Sequence, residues 1–333
     1  MMNKFLITLV LLASCASPRP AQPRNGGVAN PAASPSASPK LSSKIVDAAR
    51  LLEDVRALSS DAMEGREMGT QGGVMARAFV ISRFADLKLK TFGDSYEKPF
   101  DAPAPAAAPA SKIKPANVVG YAEGSKYPDR FLVVTAHYDH LGVRDKQIYN
   151  GADDNASGVA VLLQLAAHFA RERPQNSIIF AALDGEEEGL LGARAFVKWA
   201  KDERRDVALD VNLDMVSHSE RGELYASGAY HTPALAPALK ELAAHAPVRL
   251  LLGHDRPEQK HDDWTNQSDH YAFHKAGIPF VYFGVEDHKD YHKPTDDFDT
   301  ITQPFFVHAA ETILEAVEVL DRDLSELLKP SKT

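Results

Sequence analysis

Apolar positions along the chain recur with two alternating periods. Residues 43–59 place Ile45, Val46, Ala49, Leu52, Val55 and Leu58 at three- and four-residue steps, the spacing of one helix face. Residues 72–90 repeat that spacing through Val74, Phe79, Ile81, Phe84 and Leu87, and the turn-rich stretch 64–70 separates the two. Residues 94–130 hold a Pro/Ala patch (102–110) and a short strand-like run, 117–120. Continuous apolar runs follow at 131–136, 177–183, 207–213 and 279–283, the pattern of strands buried on both faces. Between and after them lie helical patterns at 156–171, 190–202, 235–246 and 304–328. Strands alternating with helices predict an α/β sandwich around a largely parallel sheet. No internal repeat is visible, so residues 41–333 read as a single domain.

The first forty residues have a different character. Residues 5–13 are apolar and follow the single charge of Lys4. That run is too short for a membrane span of about 20 residues but suits the core of a signal peptide, about 7–15 residues. It ends Leu12-Ala13-Ser14-Cys15, and Cys15 is the only cysteine in the chain. This arrangement resembles a bacterial lipoprotein signal, with residues 1–15 as the leader and Cys15 as the lipidated residue. Ala16 after the cysteine suggests outer-membrane sorting, so the expectation is an exported, membrane-tethered protein facing the periplasm or cell surface. Residues 16–40 are Pro, Ala, Ser and Asn with few apolar side chains and read as a disordered tether.

Composition narrows the chemistry. Lys and Arg number 37 against 46 Asp and Glu, a formal charge of −9, which disfavours a nucleic-acid partner. One cysteine cannot build a multi-cysteine metal site, so any metal must be held by the 13 histidines and the carboxylates.

Those residues recur where the strands end. The run 131–136 leads into His137-Tyr138-Asp139, and 177–183 leads into Asp184-Gly185-Glu186-Glu187-Glu188-Gly189. The run 207–213 leads into Asp214, and 279–283 leads to a polar loop with His288 and His292. The loop Asn150 to Gly158 opens the helix after it. Open α/β sheets bind ligands beyond the carboxyl ends of their strands. Each group alone has an ordinary explanation, such as a helix cap at Asp153-Asp154-Asn155. Together, several carboxylates at one edge would repel one another strongly, and a divalent metal resolves that conflict.

The set His137-x-Asp139, Gly151-Ala152-Asp153-Asp154-Asn155-Ala156-Ser157-Gly158, Glu186-Glu187-x-Gly189-Leu190, Asn212-x-Asp214-Met215 and Tyr291-His292 resembles the co-catalytic zinc aminopeptidases of metallopeptidase clan MH. That superfamily also holds the glutamate carboxypeptidases and glutaminyl cyclases. The resemblance spans about residues 41–320 and implies a three-layer α/β/α sandwich with a mixed, mostly parallel central sheet. It implies two metals bridged by Asp154, one completed by His137 and Asp214 and the other by Glu187 and His292. Asp139 would accept the free ring N–H of His137, Glu186 would be the general base, and the Asp154–Asn155 peptide would be cis. The ligands suit two Zn²⁺, with Mn²⁺ or Co²⁺ also compatible. Two metals sharing a hydroxide lower its pKa, and a free Glu186 beside a ligating Glu187 can move the proton.

Other pieces are less decided. Ser268-Asp269-His270 resembles a segment beside the family's pocket, so Asp269, His270 and Tyr271 are candidate substrate contacts; a plain helix start fits as well. Residues 255–263, dense in charge, read as a solvated loop. His288 competes with His292 as a ligand, and Tyr291-His292-Lys293-Pro294-Thr295-Asp296 favours His292. The expected activity is removal of N-terminal residues from peptides. The alternatives are a single-zinc glutaminyl cyclase-like acyltransferase, a carboxypeptidase, and a non-catalytic binding relative.

Overall fold

The computed structural model describes Ser43 and residues 45–103 and 113–328. The expectations for residues 1–15, Cys15 and residues 16–40, and most of the Pro/Ala patch, lie outside the described residues. Among the described residues no helix is long and apolar enough to cross a membrane.

The strands are β1 (Glu97–Pro99), β2 (Ala116–Ala122), β3 (Tyr127–His137), β4 (Gly142–Arg144), β5 (Gln147–Tyr149), β6 (Asn176–Leu183), β7 (Asp206–Leu213), β8 (Glu223–Ser227), β9 (Arg249–Leu252) and β10 (Phe280–Gly284). The α-helices are α1 (Ala48–Leu58), α2 (Gln71–Asp86), α3 (Gly158–Phe169), α4 (Leu191–Asp202), α5 (Ala236–Ala243), α6 (His270–Lys275) and α7 (Gln303–Leu327). Eight strands form one sheet in the order β1-β2-β6-β3-β7-β10-β8-β9, and β4-β5 is a separate hairpin. β6, β3, β7 and β10 run parallel at its centre. β2 joins them antiparallel at one side and β8 at the other.

Strand alternation sorts the core into two layers. Leu132, Val134 and Ala136 of β3 and Ile178, Phe180 and Ala182 of β6 pack with α1, α2, α3, α5 and α7. Phe131 and Val133 with Ile179, Ala181 and Leu183 face α4 and α6. The architecture is therefore a three-layer α/β/α sandwich. All eight residues of β6 are buried, and from Ile178 to Leu183 its sequence is continuously apolar for that reason. Local chemistry sets several ends. Asp47 Oδ1 accepts from Arg50 N at 3.1 Å to start α1, and Thr70 Oγ1 accepts from Gly73 N at 3.3 Å to start α2. At the far end, Asp321 of α7 accepts the N–H groups of Gln175 and Asn176, fixing the entry to β6.

β1, the β4-β5 hairpin, β8 and β9 are additional to the pattern read from sequence, and the helix start offered as one reading of Ser268-Asp269-His270 is α6, with Asp269 ahead of its first residue. The additional strands are short, β8 mixes polar Glu223 and Ser227 with its apolar positions, and in β9 at the sheet margin only Leu250 is buried.

Candidate metal centre

Four parallel strands finish at the same edge and deliver the chemistry there. β3 ends on His137, β6 runs out into Glu186 and Glu187, β7 into Asp214, and the loop after β10 carries His292. The fifth contribution is the buried segment Ala152–Ser157 ahead of α3, whose Asp154–Asn155 peptide bond is cis. Gly151 enters this segment at φ +55°, and a Cβ there would lie 2.0 Å from Asp154 O and 2.6 Å from the His140 ring. Only glycine fits.

Asp154 sits between two groups. Its Oδ1 is 3.4 Å from His137 Nε2, which is 3.3 Å from Asp214 Oδ1. Its Oδ2 is 3.1 Å from His292 Nε2, which is 3.4 Å from Glu187 Oε2. His140, which the sequence reading did not single out, lies on the second side: its Nδ1 is 2.8 Å from Glu187 Oε1 and 3.7 Å from Asp154 Oδ2. Its one sequence signal was position, three residues after His137 on the same strand end. The donor atoms of His137, Asp154 and Asp214 lie within 4.8 Å of one another, as do those of His140, Asp154 and Glu187. Glu186 lines the same cavity, and its carboxylate makes no hydrogen bond or ion pair with a described residue.

Asp139 differs from expectation in detail. Its carboxylate stands 3.7 Å from His137 Nδ1, beyond a hydrogen bond, and the Asp139 backbone carbonyl at 3.2 Å is the ring's partner. The carboxylate instead accepts the backbone N–H groups of Glu186 at 3.1 Å and Glu187 at 3.3 Å. It therefore holds the loop that presents both glutamates.

His288 is not on the cluster. Its Nε2 pairs with Asp153 Oδ2 at 3.1 Å, its Nδ1 accepts from Asp290 N, and its ring stacks on His218 at 3.9 Å. Asp153 also accepts from Ser217 N and Oγ, so this pair supports the segment that carries Asp154. Asp296 supports it from the other side, accepting the N–H groups of Asp153 and Asp154 at 3.0 Å each. Beneath them Arg66, fully buried, donates to the carbonyls of Leu58, Tyr138, Asn150 and Gly151.

Asp269 and His270 are fully buried and do not line the cavity, whereas Tyr271 does. His270 Nε2 bonds to Trp264 O, and burial pushes its ring down to about 3. Residues 255–263 are mostly exposed and do not line the cavity, whereas Trp264, Asn266 and Gln267, directly after them, are cavity wall. Trp264 is held there by stacking on His254 at 3.7 Å.

The electrostatics show a cluster short of positive charge. Burial lifts Glu186 and Asp139 well above the usual carboxylate range, raises Asp214, and pushes Asp269 up to about 7. His137 and His292 are raised too, by neighbouring charge and against burial. Burial opposes a charged His292, yet Asp154 and Glu187 carry it up to about 10. His137 rises likewise, against burial, through Asp214, Glu186 and Asp154. His140 Nε2 and both Asp269 oxygens are buried without a partner. Convergent carboxylates and imidazoles of this kind fit divalent cations of intermediate softness.

The sequence profile of Peptidase family M28 matches residues 117–317, which contain every one of these donors. A probable zinc metalloprotease of Leptosphaeria maculans is 29% identical over 242 residues, 63% of this chain and 53% of that protein. The chain spans about half the length of that curated relative and about a quarter of another, from Pyrenophora tritici-repentis. Among solved structures, a zinc aminopeptidase from Bacillus subtilis superposes with a TM-score of 0.66 at 19% identity, covering 86% of this chain and 97% of that one. A Porphyromonas gingivalis glutaminyl cyclase gives a TM-score of 0.65 at 17% identity, covering 83% and 99%. These structures share the fold; the profile match, across more than half the chain, is what establishes kinship, and the chain belongs to peptidase family M28.

Proposed function

We propose that this protein is a dinuclear metal-dependent exopeptidase that releases N-terminal residues from peptides. The observation that carries the reading is Asp154, which offers one oxygen to the His137 and Asp214 side and the other to the Glu187 and His292 side. His137 and Asp214 would hold one ion, Glu187 and His292 the other, and Asp154 both. When bound, two Zn²⁺ (or Mn²⁺ or Co²⁺) supply Lewis acidity toward a carbonyl and toward water. Glu186 accepts the proton of the attacking water and returns it to the leaving amine. Its freedom from hydrogen bonds and its raised pKa suit that role. Asp139 keeps Glu186 in place through the backbone N–H it accepts.

The second reading, cyclisation of N-terminal glutamine, shares the fold. Metal-loaded protein is to be offered leucyl-nitroanilide and a peptide beginning with Gln. Release of nitroaniline with about two metals per chain supports the peptidase; pyroglutamate formation with one metal supports the cyclase. We also propose that Cys15 carries the lipid of a lipoprotein leader and places the enzyme at an outer membrane. Cys15→Ser should then move the protein from the detergent phase to the aqueous phase on Triton X-114 partition.

A further inference from the structure

The cavity that contains the metal-centre residues measures about 410 Å³, and its wall carries two more charges, Arg194 and Asp287. Both side chains are exposed, and neither makes a hydrogen bond or an ion pair with a described residue. Some exposed arginines have acid partners, as in Arg173 with Glu123 and Arg249 with Glu223, and others, such as Arg171 and Arg204, have none among the described residues; Arg194 differs from these in lining the cavity. Arg194 stands in the first turn of α4, directly after the buried Gly192 and Ala193, so its backbone is fixed against the loop that holds Glu186. Four carboxylates of the centre, Asp154, Glu186, Glu187 and Asp214, line the same cavity, and Arg194 is the only Lys or Arg among its lining residues. A guanidinium offers a planar fork of donors that matches a carboxylate.

We infer that Arg194 is a carboxylate-binding subsite, taking either the C-terminal carboxylate of a short peptide or an acidic side chain next to the scissile bond. The inference rests on the peptidase reading and gives it a substrate class. The cavity lies toward the small end of the range of about 300–1,000 Å³ for small-ligand clefts, which suits a ligand of a few residues. A short peptide is a zwitterion, and the two unmatched charges of the wall, Arg194 and Asp287, are of opposite sign. Asp287 is near the centre: burial raises the Tyr291 phenol, and the charges of Asp154, Asp214 and Asp287 add to the rise.

The test is calorimetric, on metal-loaded wild type, Arg194→Gln and Arg194→Lys. The probes are the reduced-amide isostere of leucyl-glycine, its C-terminal amide, and the C-terminal amide of the glutamyl-glycine isostere. In wild type the free acid should bind on the order of tenfold more tightly than its amide. In Arg194→Gln that ratio should fall to less than about twofold, with Arg194→Lys between, because Lys keeps the charge and loses the fork. If the gain appears instead with the glutamyl amide and is lost in Arg194→Gln, the carboxylate is that of the side chain and the subsite stands. An unchanged ratio in Arg194→Gln, or no discrimination by wild type in either arm, overturns it. Leucyl-nitroanilide carries no carboxylate, so failure to hydrolyse it sinks the peptidase reading while the binding ratios still judge Arg194.

Discussion

Arg66 donates to no candidate ligand side chain, yet it fixes the backbone that carries several of them. Its guanidinium joins the carbonyl of Leu58 to those of Tyr138, Asn150 and Gly151, the backbone on either side of His137 and Asp154. Burial lowers its pKa to about 10, countered by the charges of Asp154, Asp296, Asp139 and Glu187, so it stays charged at neutral pH. Removing it leaves buried carbonyls unpaired, at about 1–3 kcal/mol each. Arg66→Met should therefore lower unfolding free energy by more than about 3 kcal/mol in urea titrations, with Arg66→Lys only a partial rescue. His140 gives a second prediction at this scale. Its Nδ1 fixes Glu187 Oε1, and loss of such contacts weakens metal binding by about 10–100-fold. His140→Asn should show that loss in chelator competition, and unchanged metal affinity would make His140 a packing residue only.

At the scale of elements, the sequence was most legible where burial is continuous. β6 and β7 read correctly because strands covered on both faces are rich in apolar residues, and the charged residues that follow such runs are then conspicuous. Asp214 and the pair Glu186 and Glu187 were found in that way. Short marginal strands such as β8 and β9 lack that contrast. The preference for His292 over His288 rests on the run Tyr291 to Asp296 and not on periodicity, and the distinction between the carboxylate and the carbonyl of Asp139 depends on side-chain direction, which periodicity does not encode. Trp264 was missed as cavity wall because the loop before it is mostly exposed, and only tertiary stacking on His254 turns it inward. Within β7, Asp210 is a polar residue at a fully buried position, taking a hydrogen bond from Thr135 and leaving Oδ2 unpartnered. Burial raises its pKa well above the ordinary carboxylate value. A carboxyl with a raised folded-state pKa costs no stability below its unfolded value of about 3.9, and costs progressively more as the pH climbs toward the folded value. Asp210→Asn should therefore match wild type in thermal melts below about pH 4 and exceed it increasingly as the pH rises above that. A constant or inverted difference would show that the carboxylate is not the strained form.

At the scale of the whole molecule, the acid excess of the composition and the metal centre belong together. Burying Asp154, Glu187 and Asp214 at one sheet edge is tolerable when cations hold them, and such cations bind the folded chain far better than the unfolded one. Binding of that kind adds about 4 kcal/mol when free metal is a thousandfold above its dissociation constant. Stripping the protein with a chelator should lower Tm by several degrees, and zinc should restore it. A Tm indifferent to chelation would mean that the carboxylates are accommodated without metal. The most direct measurement pairs metal content with turnover of leucyl-nitroanilide in wild type and Glu186→Gln. The predicted result is about two metals per chain in both proteins, with activity in Glu186→Gln reduced by about 10²–10⁴-fold. Wild-type turnover in Glu186→Gln, or an active protein that holds no metal, would contradict it.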